Sequence, residues 1–241
     1  MVVSAHNEAS KVGTEIMNKG GNAIDAAIAT HFALAVTYPV AGNMGGGGFA
    51  VVRTANGKNY TLDFREKAPN AYYEDVFLDS SGNVDRQKSL FSVFAAGVPG
   101  AVDGMWQLHQ KMGKLEWSEL IEPSIKIAEN GFQLSEEHAN RLNYFKNEFE
   151  RLNDSNALYL NKQAWKAGDV LIQNELAELL KTVAEKGRSG FYEGEHAAAL
   201  VSFIKEKGGL MSLEDLKNYQ AEWRKPYEFD FKNWHVVSMP L

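Results

Sequence analysis

The sequence predicts an α+β fold in which strand-rich ends, residues 1–98 and 226–241, enclose a helical middle, residues 99–225. Three observations predict it. Between Phe49 and Arg65, two β-prone runs flank Asn56-Gly57, the strongest short-range hairpin signal, because both positions of the tightest hairpin turn need positive φ. From Pro99 to Leu216, apolar-periodic segments open on Ser, Asn or Pro and close on Gly. From Tyr227 to Met239, strict alternation returns on both sides of Lys232-Asn233. Helices laid against a mixed sheet, in one domain without repeats or linkers, account for all three.

Taken in order, Val2 to Ala5 reads as a short strand. Asn7 can cap a helix through about Asn18, with Ala9, Val12 and Ile16 on one face and Gly20-Gly21 as its stop. Asn22 caps the next helix, Ala23 to Val36, where Asp25 complements the helix dipole. That helix is apolar nearly all round, so it must be covered on most sides, and Pro39 ends it. The glycine run Gly45 to Gly48 then turns the chain into the hairpin. On its second strand Tyr60, Leu62 and Phe64 share one face and Thr61, Asp63 and Arg65 the other, so that one side is buried and a guanidinium stands at the far end. Asp79 to Lys88 reads as a polar surface connection. Further helices run from Pro99 to Gly113, from Ser118 to Asn130 with Pro123 shortening or kinking it, and from Ser135 to about Leu152. Asn174 to Lys186, Glu195 to Lys207 and a short one opened by Ser212 with Asp215 complete the middle.

Composition excludes several classes of function. With 25 basic against 31 acidic side chains the net charge is −6, which argues against nucleic acid and anionic membrane surfaces as partners. No window is apolar for long enough to cross a bilayer, and no signal-peptide pattern opens the sequence. The absence of cysteine removes disulfides, thiolate nucleophiles and Cys-bearing zinc sites. The six histidines are scattered without ligand spacing, so no metal and no cofactor is expected. Nucleophile-elbow, phosphate-loop and zinc-protease motifs are absent. The four glycines do not follow a strand and open a helix, so they read as a tight corner feeding a strand and not as a phosphate cradle. Asn59-Tyr60-Thr61 and Asn153-Asp154-Ser155 fit the glycosylation sequon.

Arg65 is the candidate binding residue. One reading is an exposed ion pair with Asp63 or Glu66, worth little. The other is a planar fork that holds a substrate carboxylate through two parallel hydrogen bonds, with the flanking acids orienting it when no ligand is present. Spacing alone leaves both open.

Five motifs carry a resemblance. GGNAIDAAIA (Gly20 to Ala29), AGNMGGGGF (Ala41 to Phe49), LDFREKAP (Leu62 to Pro69), AAGVPGAVDG (Ala95 to Gly104) and KEKGGLMSLEDL (Lys205 to Leu216) together resemble bacterial γ-glutamyltransferase, in order and over essentially the whole chain. The resemblance implies an N-terminal-nucleophile hydrolase fold, a four-layer αββα sandwich of which this chain is an incomplete, large-subunit portion. It implies a precursor that cleaves itself into two subunits. The new terminal threonine of the small subunit attacks the γ-glutamyl amide of glutathione-like donors, and the acyl group passes to water, an amino acid or a dipeptide. Arg65 falls on the family's donor-carboxylate arginine. No other residue maps to a catalytic role, because the chain ends at Ser238-Met239-Pro240-Leu241, short of the nucleophile. The expected partners are γ-glutamyl donors, acceptors and the small subunit, and the expected location is periplasmic or secreted. Cephalosporin and glutaryl acylases and capsule-processing transpeptidases use the same fold, but GNMGGGGF with LDFREKAP fits the glutathione-type members best. A non-catalytic large subunit that binds amino-acid ligands or packs against a partner is the alternative.

Overall fold

A computed structural model describes residues 1–153 and 157–240. Helix α1 (Asn7–Asn18) is capped not by Asn7 but by His6, whose Nδ1 accepts from Glu8 N. It buries Ala9, Val12 and Ile16 as the pattern required. Helix α2 (Ala23–Thr37) opens with a capping box: the Asn22 side chain accepts from the Ile24 and Asp25 amides while the Asp25 carboxylate accepts from Asn22 N. Its apolar circumference packs against α1 and against α5 (Trp117–Asn130). Phe32, fully buried, meets the Trp117 ring edge-on at 5.6 Å. Side chains buried this fully contribute about 1.5–3 kcal/mol each.

Strands β1 (Phe49–Arg53) and β2 (Asn59–Asp63) form the expected hairpin, but not with a two-residue turn. Thr54 N donates to Lys58 O and Gly57 N to Thr54 O, so Ala55-Asn56-Gly57 connect the strands and only Gly57 takes positive φ, at 82°. β2 is also not half-exposed. Strand β5 (Glu222–Arg224) pairs along its other edge, and Thr61 and Leu62 are both fully buried. The sheet order is β1-β2-β5, and every ladder among the described residues is antiparallel, so the expected mixed sheet is not formed.

Residues 2–5 are not a strand. A strand requires a neighbouring strand to receive its backbone groups; here Ser4 Oγ donates to His6 O, and Val2 lies against Gly13 of α1. The segment read as a polar connection, Asp79 to Lys88, ends inside a helix, α3 (Arg86–Phe91), capped by Asp85. Helix α4 (Ala101–Met112) and α5 appear where expected, and α5 continues unbroken through Pro123. The single helix expected after Ser135 is two, α6 (Glu136–Tyr144) and α7 (Lys146–Leu152). The break follows Asn143, whose amide bonds both the N–H and the C=O of Trp165 at 2.8 Å and ties the chain there to a distant loop. Two-residue strands β3 (Phe132–Gln133) and β4 (Val170–Leu171) pair between them. Then come α8 (Asn174–Lys186), the unexpected turn α9 (Ser189–Tyr192), α10 (Gly194–Glu206) and α11 (Leu213–Asn218), the last with the Ser212–Asp215 capping box. Strands β6 (Tyr227–Phe231) and β7 (Trp234–Ser238) make a separate hairpin that exposes Tyr227, Phe229, Phe231 and Trp234. The second sequon, which includes Asp154 and Ser155, lies partly outside the described residues, as does Leu241.

Candidate functional site

The backbone that carries Arg65 is clamped from both sides. Phe64, the residue after β2, is buried and exchanges two hydrogen bonds with Gly48, of 3.2 and 2.9 Å. Gly47 lies flush on the same stretch: a Cβ there would stand 2.5 Å from Phe64 O, 2.8 Å from Glu66 N and 2.9 Å from Arg65 Cα. The glycine run is therefore the corner expected of it, and its lack of side chains lets one backbone lie on another. Gly46 O accepts from Gly100 N and Ala101 N, which seats the first turn of α4 on the corner. From the opposite direction Tyr219 Oη donates to Arg65 O at 2.8 Å. Burial and the nearby carboxylate of Asp103 raise the Tyr219 pKa, so its hydroxyl stays a donor.

At the end of β2 the guanidinium of Arg65 turns back on Asp63. Nε donates to Oδ1 at 3.1 Å and Nη2 to Oδ2 at 2.8 Å, while Arg65 N donates to Oδ1. The ion pair with Asp63 anticipated from spacing is formed; the one with Glu66 is not. Arg224, arriving on β5, donates from Nε to the same Oδ2 at 2.9 Å and pairs through Nη2 with Glu222. Glu222 in turn holds Lys67 at 2.8 Å. The hydrogen bonds from Arg65 hold the Asp63 carboxyl far below the usual carboxylate range, and Asp63 raises the Arg65 pKa in return. The cluster contains three cations (Arg65, Lys67, Arg224) and two anions (Asp63, Glu222), a surplus of one positive charge.

This geometry leaves the fork usable. A guanidinium has two bidentate edges, and Asp63 occupies only the Nε/Nη2 edge. Nη1 enters no hydrogen bond among the described residues, and the side chain is 48% exposed. The free edge, backed by a net positive cluster, can take a second carboxylate.

Arg65 does not line the open groove beside it. That groove, about 510 Å³, is walled by Asn43, Gly46, Tyr72, Phe77 and Phe94, and its carboxylate is Glu66. Arg65 turns instead to Asp63 and β5, whereas its neighbours Glu66 and Lys67 both line the groove.

Sequence reasoning missed Arg224, Glu222, Tyr219 and Asp103. Asp103, almost completely buried in the first turn of α4, accepts from Arg188 Nε at 2.7 Å, Ala221 N at 2.6 Å and Gln107 Nε2 at 2.9 Å. It thereby fixes the segment that leads into β5. The signal for β5 was the three-residue alternation Glu222-Trp223-Arg224 before Pro226, too short to register as a strand. His6 and His138 stack at 5.0 Å, and among the described residues no group of three metal-ligating side chains assembles.

Comparison with known proteins supplies the context. The sequence profile described as Gamma-glutamyltranspeptidase matches residues 9–241. The glutathione hydrolase proenzyme of Pseudomonas sp. (strain A14) is 44% identical over 242 residues, covering 100% of this chain and 42% of that protein. The chain thus spans about two-fifths of the length of such curated relatives. The crystal structure of Helicobacter pylori gamma-glutamyltranspeptidase superposes with a TM-score of 0.97 at 42% identity, covering 100% of this chain and 69% of that one. The enzyme from Pseudomonas nitroreducens complexed with L-DON gives 0.93 at 42% identity, covering 100% and 70%.

Proposed function

Because the chain belongs to the gamma-glutamyltranspeptidase family, we propose that it is the large-subunit portion of an enzyme that cleaves the γ-glutamyl amide of glutathione and passes the glutamyl group to water, an amino acid or a peptide. Arg65 receives the donor's α-carboxylate on its free Nη1/Nη2 edge. The observation that carries this reading is the half-exposed fork, oriented by Asp63 within a cluster of surplus positive charge. The nucleophilic threonine comes from a small subunit of the same precursor, which completes the αββα sandwich against the sheets seen here. The exposed aromatic face of β6 and β7 supports that completion, since a two-stranded ribbon with Tyr227, Phe231 and Trp234 in water is not stable by itself. Export to the periplasm or beyond the cell belongs to the same reading.

The test is steady-state kinetics on the processed two-subunit enzyme with a γ-glutamyl anilide. Arg65→Ala raises donor KM by roughly a hundredfold, the loss of a bidentate charged contact, while subunit cleavage on a denaturing gel is unchanged. An unaltered donor KM rejects the assignment.

A further inference from the structure

The charge cluster contains a residue whose place is not explained by stability alone. β5 is three residues long, and its register sets Thr61 opposite Arg224 and Asp63 opposite Glu222. Side chains alternate along a strand, so Thr61, Asp63, Glu222 and Arg224 share one face, with Arg65 beyond the end of β2 on the same side. Arg224 is thus diagonal to Asp63, a separation that a long side chain spans. Its backbone is pinned in turn, because Thr61 Oγ1 donates to Arg224 O at 2.8 Å.

The Asp63 carboxylate is saturated by this arrangement. Oδ1 accepts from the Arg65 amide and Nε, and Oδ2 accepts from Arg65 Nη2 and Arg224 Nε. With Arg65 alone, the backbone amide restrains only Oδ1, and Oδ2 is held by nothing but the flexible Arg65 side chain, so the carboxylate can tilt and carry the fork with it. Nε–H of Arg224, coming from a different strand, fixes the plane of the carboxylate and so the plane of the guanidinium bonded to it. The second guanidinium also draws on Asp63, so that carboxylate is not spent on Arg65 alone, and with Lys67 and Glu222 included the cluster retains one positive charge for an incoming anion.

We propose that Arg224 is a positioning residue for the donor site, acting through Asp63 to hold the free edge of Arg65 toward the donor carboxylate. The proposal rests on the assignment of Arg65 to that carboxylate. Arg224 need not touch the donor: its Nε is bound to Asp63, its Nη2 to Glu222, and its side chain is 38% exposed. Orientation matters here because a bidentate contact requires the two planes to coincide, and a fork free to swing must be ordered at each binding event.

A double-mutant cycle in the processed two-subunit enzyme separates the alternatives. Arg224→Gln is expected to raise donor KM about tenfold with kcat changed by less than about twofold, a coupling typical of groups in one network. In an Arg65→Ala background the same substitution leaves donor KM within about twofold of the single variant. Arg224→Lys keeps the charge but not the fork; it gives a smaller rise in KM and carries the test if Arg224→Gln fails to process. Three results overturn the proposal: a donor KM unaffected by both Arg224 variants, an effect confined to kcat or melting temperature, or an undiminished KM effect in the Arg65→Ala background, which makes Arg224 a direct donor contact. If Arg65→Ala itself leaves KM unchanged, it is the donor-site assignment that fails, and the two failures are told apart by that one variant.

Discussion

Two neighbouring glycines of the corner give opposite predictions for the same substitution. At Gly47 a methyl group would meet three backbone atoms at 2.5, 2.8 and 2.9 Å. Ordinary contact begins at 3.4 Å, so the corner or the exit of β2 must move by about 0.5–0.9 Å, the difference between those values. None of the three atoms is the far end of a flexible side chain, and the Gly48–Phe64 hydrogen bonds lie directly in the path of the movement. Overpacking of this kind costs about 1–3 kcal/mol. For 241 residues taken alone each kcal/mol lowers the melting temperature by about 2–4 °C, a fall of roughly 2–12 °C, and the longer processed enzyme should show a smaller fall in the same direction. Because Arg65 Cα is one of the displaced atoms, donor KM should rise as well, and shifts approaching 1 Å at a binding group cost up to about a hundredfold. At Gly45 the nearest atom is Asn43 Oδ1 at 3.6 Å and φ is not positive, so Gly45→Ala should melt with the wild type. Thermal unfolding and donor KM of the two variants, measured side by side in the processed enzyme, form the assay. Equal melting temperatures and equal KM values would refute the claim that the corner rests directly on the strand that carries Arg65.

Asp103→Ala removes a buried carboxylate from Arg188, Gln107 and Ala221 N; breaking such a pair costs about 3–5 kcal/mol, and urea denaturation showing a loss under about 1 kcal/mol would contradict the hub described for it. Asp63 has a folded pKa below its unfolded value, so its stabilisation is complete above the unfolded pKa of about 3.9 and is lost as pH falls below that toward the folded value. The melting-temperature gap between wild type and Asp63→Asn should therefore be constant from pH 7 to about 5 and narrow in more acidic buffer; a gap that stays fixed down to pH 3 rules this out. His31 is pushed down by burial to about 4, and its Nε2 is enclosed without a partner even though part of the residue reaches the surface. The unfolded chain binds that proton more readily, so stability is full above about 6.5 and declines between 6.5 and about 4; His31→Gln should flatten the decline in a pH series of melting temperatures. The chain purified without a small subunit is expected to release no anilide from a γ-glutamyl anilide, and turnover above buffer would mean that it contains a nucleophile of its own.

What the sequence made legible was local. Asn22 with Asp25 and Ser212 with Asp215 cap helices through residues three apart, so the signal and the structure occupy the same few positions. The hairpin turn was legible in place but not in type, because Asn56-Gly57 serves a three-residue connection as readily as a two-residue one. The split after Ser135 was not legible, since the Asn143–Trp165 hydrogen bonds join residues 22 apart and leave no periodic trace. The strand expected at residues 2–5 failed for a related reason: β propensity without a paired neighbour decides nothing.

The candidate site divides along the same line. Arg65 stood out because its motif is contiguous, but the group that gives it direction is 161 residues from Asp63 in sequence. No local pattern singles out Arg224; only the pairing of β5 with β2 does. That dependence makes register the decisive quantity. A slip of one residue along β2 would turn Arg224 to the opposite face, where Trp223 now lies opposite Leu62, and would leave the Asp63–Arg65 pair without its third member. Two contacts outside the ladder oppose the slip: the hydrogen bond from Thr61 Oγ1 to Arg224 O, and the hold of Asp103 on Ala221 N immediately before the strand. A buried aspartate in α4 and a threonine in β2 thus determine where a guanidinium on a third element points.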